Sequence, residues 1–290
     1  MCDPMPMPAS GASPVPSEVA DVDRRARKFE TPCGDGMLVW RAWGDGPPLL
    51  LLHGAQGAWS HWIRSIDALA ADRTVWAPDL PGCGESAMPP RDDHAAISEA
   101  LATGLRALMP HGGPLDIIGF SFGGVAAAYF AAFYPAMVQR LILVGTGGLD
   151  TPMGQVALQR VRGLEGEESR AARRANLLAL MLHNPDSVDA LALYLQANDG
   201  PRGRLSVRDL VLPDKLLEVL PRLAVQPAAI WGEYDRLHPN PAVQEAALRR
   251  FHPGMEFRVV PGAGHWAMYE RPTDFNRAAL ELLQRPVVRL

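Results

Sequence analysis

Short, wholly apolar runs recur along the chain, and each stops at a turn rich in glycine and polar residues. Residues 49–52 run into His53-Gly54-Ala55-Gln56-Gly57, and 74–77 into Pro78-Asp79-Leu80-Pro81-Gly82. Residues 115–118 run into Gly119-Phe120-Ser121-Phe122-Gly123, and 141–144 into Gly145-Thr146-Gly147-Gly148. Residues 228–231 lead to Gly232-Glu233-Tyr234-Asp235, and 257–260 to Pro261-Gly262-Ala263-Gly264-His265-Trp266. An apolar run without polar alternation belongs to a strand buried on both faces. Between these runs, apolar positions fall at helical spacing over 59–71, 97–109, 123–134, 241–251 and 273–283. Residues 29–30 and 37–42 read as a strand pair around the turn Cys33-Gly34-Asp35-Gly36. Strands alternating with helices predict an α/β fold, with a mostly parallel central sheet flanked by helices.

The pattern changes after the sixth strand. Residues 151–223 contain no clear strand, and helical runs are expected near 153–164, 170–182, 185–197 and 214–220. The expected organisation is a core of residues 26–148 and 226–290, a helical lid over 149–225, and a disordered or extended leader over 1–25. Residues 1–17 are rich in Pro, Met, Ser and Ala and lack the basic start and apolar block of a secretory signal.

Composition narrows the partners. A chain of 290 residues with 48% apolar residues suits one large domain, or one domain with an insertion. A net charge of −4 offers no basic excess, and the arginines between 170 and 174 read as a solvated helix face, so no nucleic-acid partner is expected. Three separated cysteines, Cys2, Cys33 and Cys83, show no metal-ligand spacing, which points to a reduced, cytoplasmic protein without a metal or organic cofactor. No apolar run approaches the roughly 20 residues of a membrane span. A small-molecule substrate is expected, and self-association is left open.

Candidate chemistry sits just beyond the strand ends, where open α/β sheets bind ligands. Gly119-Phe120-Ser121-Phe122-Gly123 places Ser121 on a sharp strand-to-helix corner with its hydroxyl pushed outward. A serine hydroxyl needs a base within reach, and the base needs an orienting partner. The chain supplies Asp235 after one later strand and His265 after the last. Asp150, also past a strand end, is an alternative acid in a less well-matched setting. Asp79 reads as an organiser of its own loop, His53 as a support for the loop it begins, and His238 as an exposed loop histidine beside proline. His61, Trp62 and Trp266 are placed near the pocket.

The order Ser121, Asp235, His265, together with His53-Gly54, residues 79–86, Gly119–Gly124, Trp231–Asp235 and Gly262–His265, resembles the α/β-hydrolase fold over about residues 29–283. The resemblance implies that Ser121 is a nucleophile, His265 its base and Asp235 the acid that orients the base. It also implies an oxyanion hole made by the backbone N–H groups of Phe122 and Ala55. The stretch Gly264-His265-Trp266-Ala267-Met268-Tyr269-Glu270 is similar to carbon–carbon bond hydrolases acting on aromatic ring-fission products. Two departures weigh against that activity. Phe120 stands before the serine, where those enzymes place a small polar residue, and Gln196 stands where they place a lid arginine, with Arg202 and Arg204 nearby. The expectation is therefore hydrolysis of a small carboxylic ester or related acyl compound. Carbon–carbon cleavage of a vinylogous diketone is second, and a non-catalytic binding module of the same fold third.

Overall fold

The computed structural model describes residues 14–290. Eight strands form one sheet: β1 (Arg27–Cys33), β2 (Gly36–Trp43), β3 (Pro48–Leu52), β4 (Thr74–Pro78), β5 (Leu115–Phe120), β6 (Val138–Val144), β7 (Ala228–Gly232) and β8 (Phe257–Val260). Their order is β1-β2-β4-β3-β5-β6-β7-β8. β1 and β2 are antiparallel to their neighbours, and every pairing from β4 across to β8 is parallel. This is the expected α/β architecture, and all eight strands fall on the predicted runs.

The sheet has a core on each face, because side chains alternate along each strand. Leu50, Leu52, Ile117 and Leu143 pack with the helices His94–Leu108 and Phe122–Phe133 on one side. Leu49, Leu51, Ile118 and Val144 pack with the helix Pro272–Gln284 on the other. The helix at residue 94 starts where its sequence directs, since Asp93 accepts the Ala96 N–H at 2.7 Å as its cap. At the N-terminal ends of the strands, buried Asp116 is satisfied by Arg73 at 2.8 Å and Arg140 at 3.0 Å. That end is tied by ion pairs, and the carboxyl end is left for chemistry.

Three local expectations are corrected. The disordered or extended leader expected over 1–25 does not hold for Ser17–Arg25, which is a helix whose Val19 and Val22 are buried; residues 1–13 lie outside the described residues. The helix expected over 59–71 is a 3₁₀ turn, Trp59–Trp62, and a short helix, Ile66–Leu69. Tertiary bonds override its periodicity: the Trp59 N–H goes to Asp79 at 2.9 Å, and the Ser60 hydroxyl to Asp199. Residues 153–161 form no helix. The Asn176 side chain takes both the N–H of Gln159 (2.7 Å) and its carbonyl (2.8 Å), the groups a helix there would use.

Between β6 and β7 the chain carries the helices Gly166–Asn176 and Ala190–Asp199 and the shorter helix Lys215–Val219. Among the described residues no helix is long and apolar enough to cross a membrane.

Candidate active site

Six strand ends deliver polar residues to one rim. Ser121 follows β5 with φ 52° and ψ −119°, a conformation that non-glycine residues rarely adopt. The turn is held from below by the Ser121 N–H, which donates to Val144 O at 2.8 Å. Gly123 is required by contact, since a Cβ there would stand 2.4 Å from the carbonyl oxygens of Leu52 and His53. Phe122 opens the following helix, where backbone N–H groups lack intrahelical partners. Ala55 lies in the loop after β3, next to Gly54, which packs against Ser121, and among the described residues its N–H meets no acceptor.

Asp235 follows β7 and His265 follows β8, and both are buried. The His265 Nδ1–H donates to Asp235 Oδ2 at 2.7 Å. The other carboxylate oxygen of Asp235 accepts the N–H groups of Leu237 (2.9 Å) and His238 (3.1 Å). Burial alone would raise the Asp235 pKa, but the His265 and His238 rings outweigh it and hold the carboxyl far below its usual range. An ionised Asp235 pins the Nδ1–H tautomer of His265 and leaves Nε2 as the basic nitrogen.

The serine and this pair converge beside β6. Ser121 is bonded to Val144, and on the next residue a Cβ at Gly145 would stand 3.2 Å from His265 Nδ1 and 3.3 Å from Asp235 Oδ2. The Phe120 ring lies 4.9 Å from the His265 ring. Asp150 does not join them: it is exposed, with φ 49°, and its N–H donates to Pro213 O.

The remaining predicted positions divide. His61 is buried beside the site, its ring 5.6 Å from Phe120 and 5.0 Å from Trp266, and its Nδ1 accepts the Gly54 N–H at 3.3 Å. Burial, then His53 and His265, push its pKa well down, so the ring is neutral. Trp266 donates its indole N–H to His61 O at 2.9 Å. Trp62 is a correction: it is fully buried in the core against Phe275. Gln196 lies in the helix Ala190–Asp199 with its Oε1 buried and unpartnered. Arg202 is exposed and Arg204 is bound to the 82–86 loop through Gly82 O and Ser86 O, so neither takes the place of a pocket arginine.

His53 and Asp79 are supports, as expected. His53 Nε2 accepts the Leu80 N–H at 2.8 Å, so its Nδ1 carries the proton and donates to Gly54 O. Asp79 accepts the N–H groups of Trp59 (2.9 Å) and Glu85 (3.0 Å). His238 is a second correction. It is buried, with Nδ1 3.5 Å from Asp235 Oδ2, because the loop after β7 folds back under its own carboxylate. Burial lowers its pKa against the pull of Asp235. The fold thereby assembles the one group of potential metal ligands found among the described residues, Asp235, His238 and His265, which sequence spacing does not reveal.

Two residues given no role from the sequence, Glu270 and Asp199, also shape this rim. Glu270 accepts the N–H groups of Gly264 (2.6 Å), His183 (2.9 Å) and Asn184 (2.6 Å). Asp199 accepts from Ser60 and from Asn198 (2.7 Å), and burial raises its pKa to about 6.

Comparison with known proteins identifies the family. Residues 49–278 match the model of the alpha/beta hydrolase family. The chain is 29% identical to a 2-hydroxy-6-oxo-6-phenylhexa-2,4-dienoate hydrolase of Burkholderia cepacia, over 83% of this chain and 88% of that one. It is 32% identical to a 2-hydroxy-6-oxononadienedioate/2-hydroxy-6-oxononatrienedioate hydrolase of Dechloromonas aromatica, covering 87% and 88%. An esterase structure from Rhodococcus sp. superposes with a TM-score of 0.73 at 25% identity, covering 88% of this chain and 98% of that one. By family match, strand order and strand-end chemistry together, the chain belongs to the alpha/beta hydrolase family and is a hydrolase.

Proposed function

We propose that the protein is a serine hydrolase that cleaves a small carboxylic ester or related acyl compound through an acyl-enzyme. The observation that carries this is the 2.7 Å bond from His265 to Asp235, on loops that meet the strained Ser121 turn beside Gly145. In this reading Ser121 Oγ attacks the carbonyl carbon while His265 Nε2 takes its proton. His265 then gives that proton to the leaving alcohol, and water repeats the sequence to release the acid. Asp235 holds the tautomer and stabilises the imidazolium. The N–H groups of Phe122 and Ala55 receive the oxyanion, each worth roughly 3 kcal/mol in the transition state.

Residues 149–225 act as the lid. Support comes from their bonds to the loops that carry the site: Trp266 N–H to Met181 O at 2.8 Å, Glu270 to His183 and Asn184, and Asp199 to Ser60. The ester preference is supported by the site's neutral walls. Phe120, neutral His61 and Trp266 offer no cation, and Arg202 and Arg204 are engaged elsewhere or exposed.

Similarity to the Burkholderia cepacia enzyme favours carbon–carbon cleavage as the second reading. It lacks a charged fork for a substrate carboxylate, since neutral Gln196 cannot supply one.

The test is labelling with a fluorophosphonate, with Ser121→Ala as control, followed by an acyl-chain series of p-nitrophenyl esters and one carboxylated vinylogous diketone. Labelling and ester turnover are expected in the natural protein and absent from Ser121→Ala. Labelling of that variant removes Ser121 as nucleophile, and faster turnover of the diketone installs the second reading.

A further inference from the structure

Asp235 faces two imidazoles with one oxygen. His265 Nδ1 lies 2.7 Å from Oδ2 and His238 Nδ1 lies 3.5 Å from the same atom. The three side chains are nearly sealed, with residue exposures of 2% for Asp235, 3% for His238 and 3% for His265. Their ligand atoms all lie within 4.8 Å of one another. His265 is hydrogen-bonded, whereas His238 Nδ1 is buried without a hydrogen-bond partner. A buried nitrogen left without a partner is destabilising, and here it is aimed at an anion that another ring already holds.

Two neutral imidazole nitrogens and one carboxylate oxygen are a donor set for borderline transition ions, whereas calcium and magnesium take oxygen shells. Zinc bonds of about 2.0–2.1 Å set tetrahedral ligands about 3.3 Å apart. The 3.5 Å between His238 and Asp235 already suits that spacing. The 2.7 Å between His265 and Asp235 is the spacing of a shared proton. It opens by about 0.6 Å when an ion takes the proton's place between them. One of the three ligands borders open space. His238 borders a cavity of about 460 Å³ whose lining residues include Asp150 and Asp209, and also Arg208. Of the three ligands only His238 is in that lining, so an ion arriving from the cavity meets His238 first.

We propose that Asp235, His238 and His265 form an inhibitory site for a divalent transition-metal ion, zinc foremost. The ion binds Asp235 Oδ2 and the Nδ1 lone pairs of the two histidines. His265 stays neutral, so its proton leaves Nδ1 and the ring carries one on Nε2 instead. The nitrogen that must accept the serine proton is then occupied, and turnover stops without any oxidation or covalent change. The effect on turnover rests on the roles proposed above for Ser121 and His265; the binding itself does not.

The test uses the full chain, freed of metal with a chelator. Zinc binding is measured by competition with a fluorescent zinc chelator, and p-nitrophenyl ester turnover is followed in parallel. Expected are one zinc per chain, inhibition that tracks binding and reverses with a chelator, and no inhibition by magnesium or calcium at 100-fold higher concentration. His238→Phe and His238→Asn, each compared with its own metal-free rate and checked by circular dichroism, should weaken zinc binding at least tenfold. Zinc binding that weakens in the folded variants supports the site even where no ester is turned over, an outcome that would instead remove the hydrolase reading. Binding unchanged within twofold in a folded variant, or no binding at 1 mM zinc, overturns the proposal.

Discussion

The carboxylate of Glu270 accepts the backbone N–H of Gly264 at 2.6 Å, and with the same two oxygens it accepts His183 and Asn184 from the segment between β6 and β7. Gly264 immediately precedes His265. One buried carboxylate therefore ties the loop of the proposed base to the proposed lid.

Glu270→Gln keeps the shape and loses one acceptor oxygen. A buried N–H left unpaired costs about 1–3 kcal/mol. We expect a lower Tm and a roughly tenfold fall in kcat, with KM for small esters within twofold. A change confined to KM would argue that the bond shapes the pocket and does not position His265.

Asp235→Asn removes the ionised acceptor that sets the His265 tautomer, and kcat for esters should fall about 10⁴-fold with the fold preserved. Asp150→Asn should leave kcat within twofold. Comparable losses in the two variants, measured on metal-free protein, would contradict the assignment of the acid.

Asp199 carries a pH signature. Burial raises its folded pKa to about 6 from an ordinary 3.8, so the folded state holds the proton more tightly than the unfolded chain. Its contribution is complete below about pH 4 and is lost as pH rises through about 6, a swing of up to about 3 kcal/mol. Asp199→Asn stays neutral throughout. Its Tm relative to the natural protein should rise between pH 4.5 and 7.5, and a difference that stays flat across that range would show that Asp199 titrates normally.

Gly123→Ala probes the elbow. Its Cβ would meet two backbone carbonyls at 2.4 Å, and backbone does not yield as a side chain does. A loss of about 1–3 kcal/mol is expected, read as a Tm drop of several degrees in calorimetry. An unchanged Tm would mean that the helix start is looser than the contact implies.

The linear chain was enough to reveal the sheet, its mostly parallel character and the positions of Ser121, Asp235 and His265. Those features are local: an apolar run, the turn that ends it and the residue that follows. A strand buried on both faces leaves that mark whatever surrounds it. Partnership across long separations was not legible. Glu270 meets residues 86 and 87 positions away, Asp199 meets Ser60 across 139, and Asn176 cancels an expected helix by bonding to Gln159. His238 reads as a surface residue and is buried, since only the packed loop after β7 turns its ring toward Asp235. Trp62 was expected at the pocket and is in the core for the same reason: where a turn points a large side chain depends on what it packs against, here Phe275. Hydrophobic periodicity is written within each element, whereas hydrogen bonds and burial between distant elements exist only once the chain has closed around them.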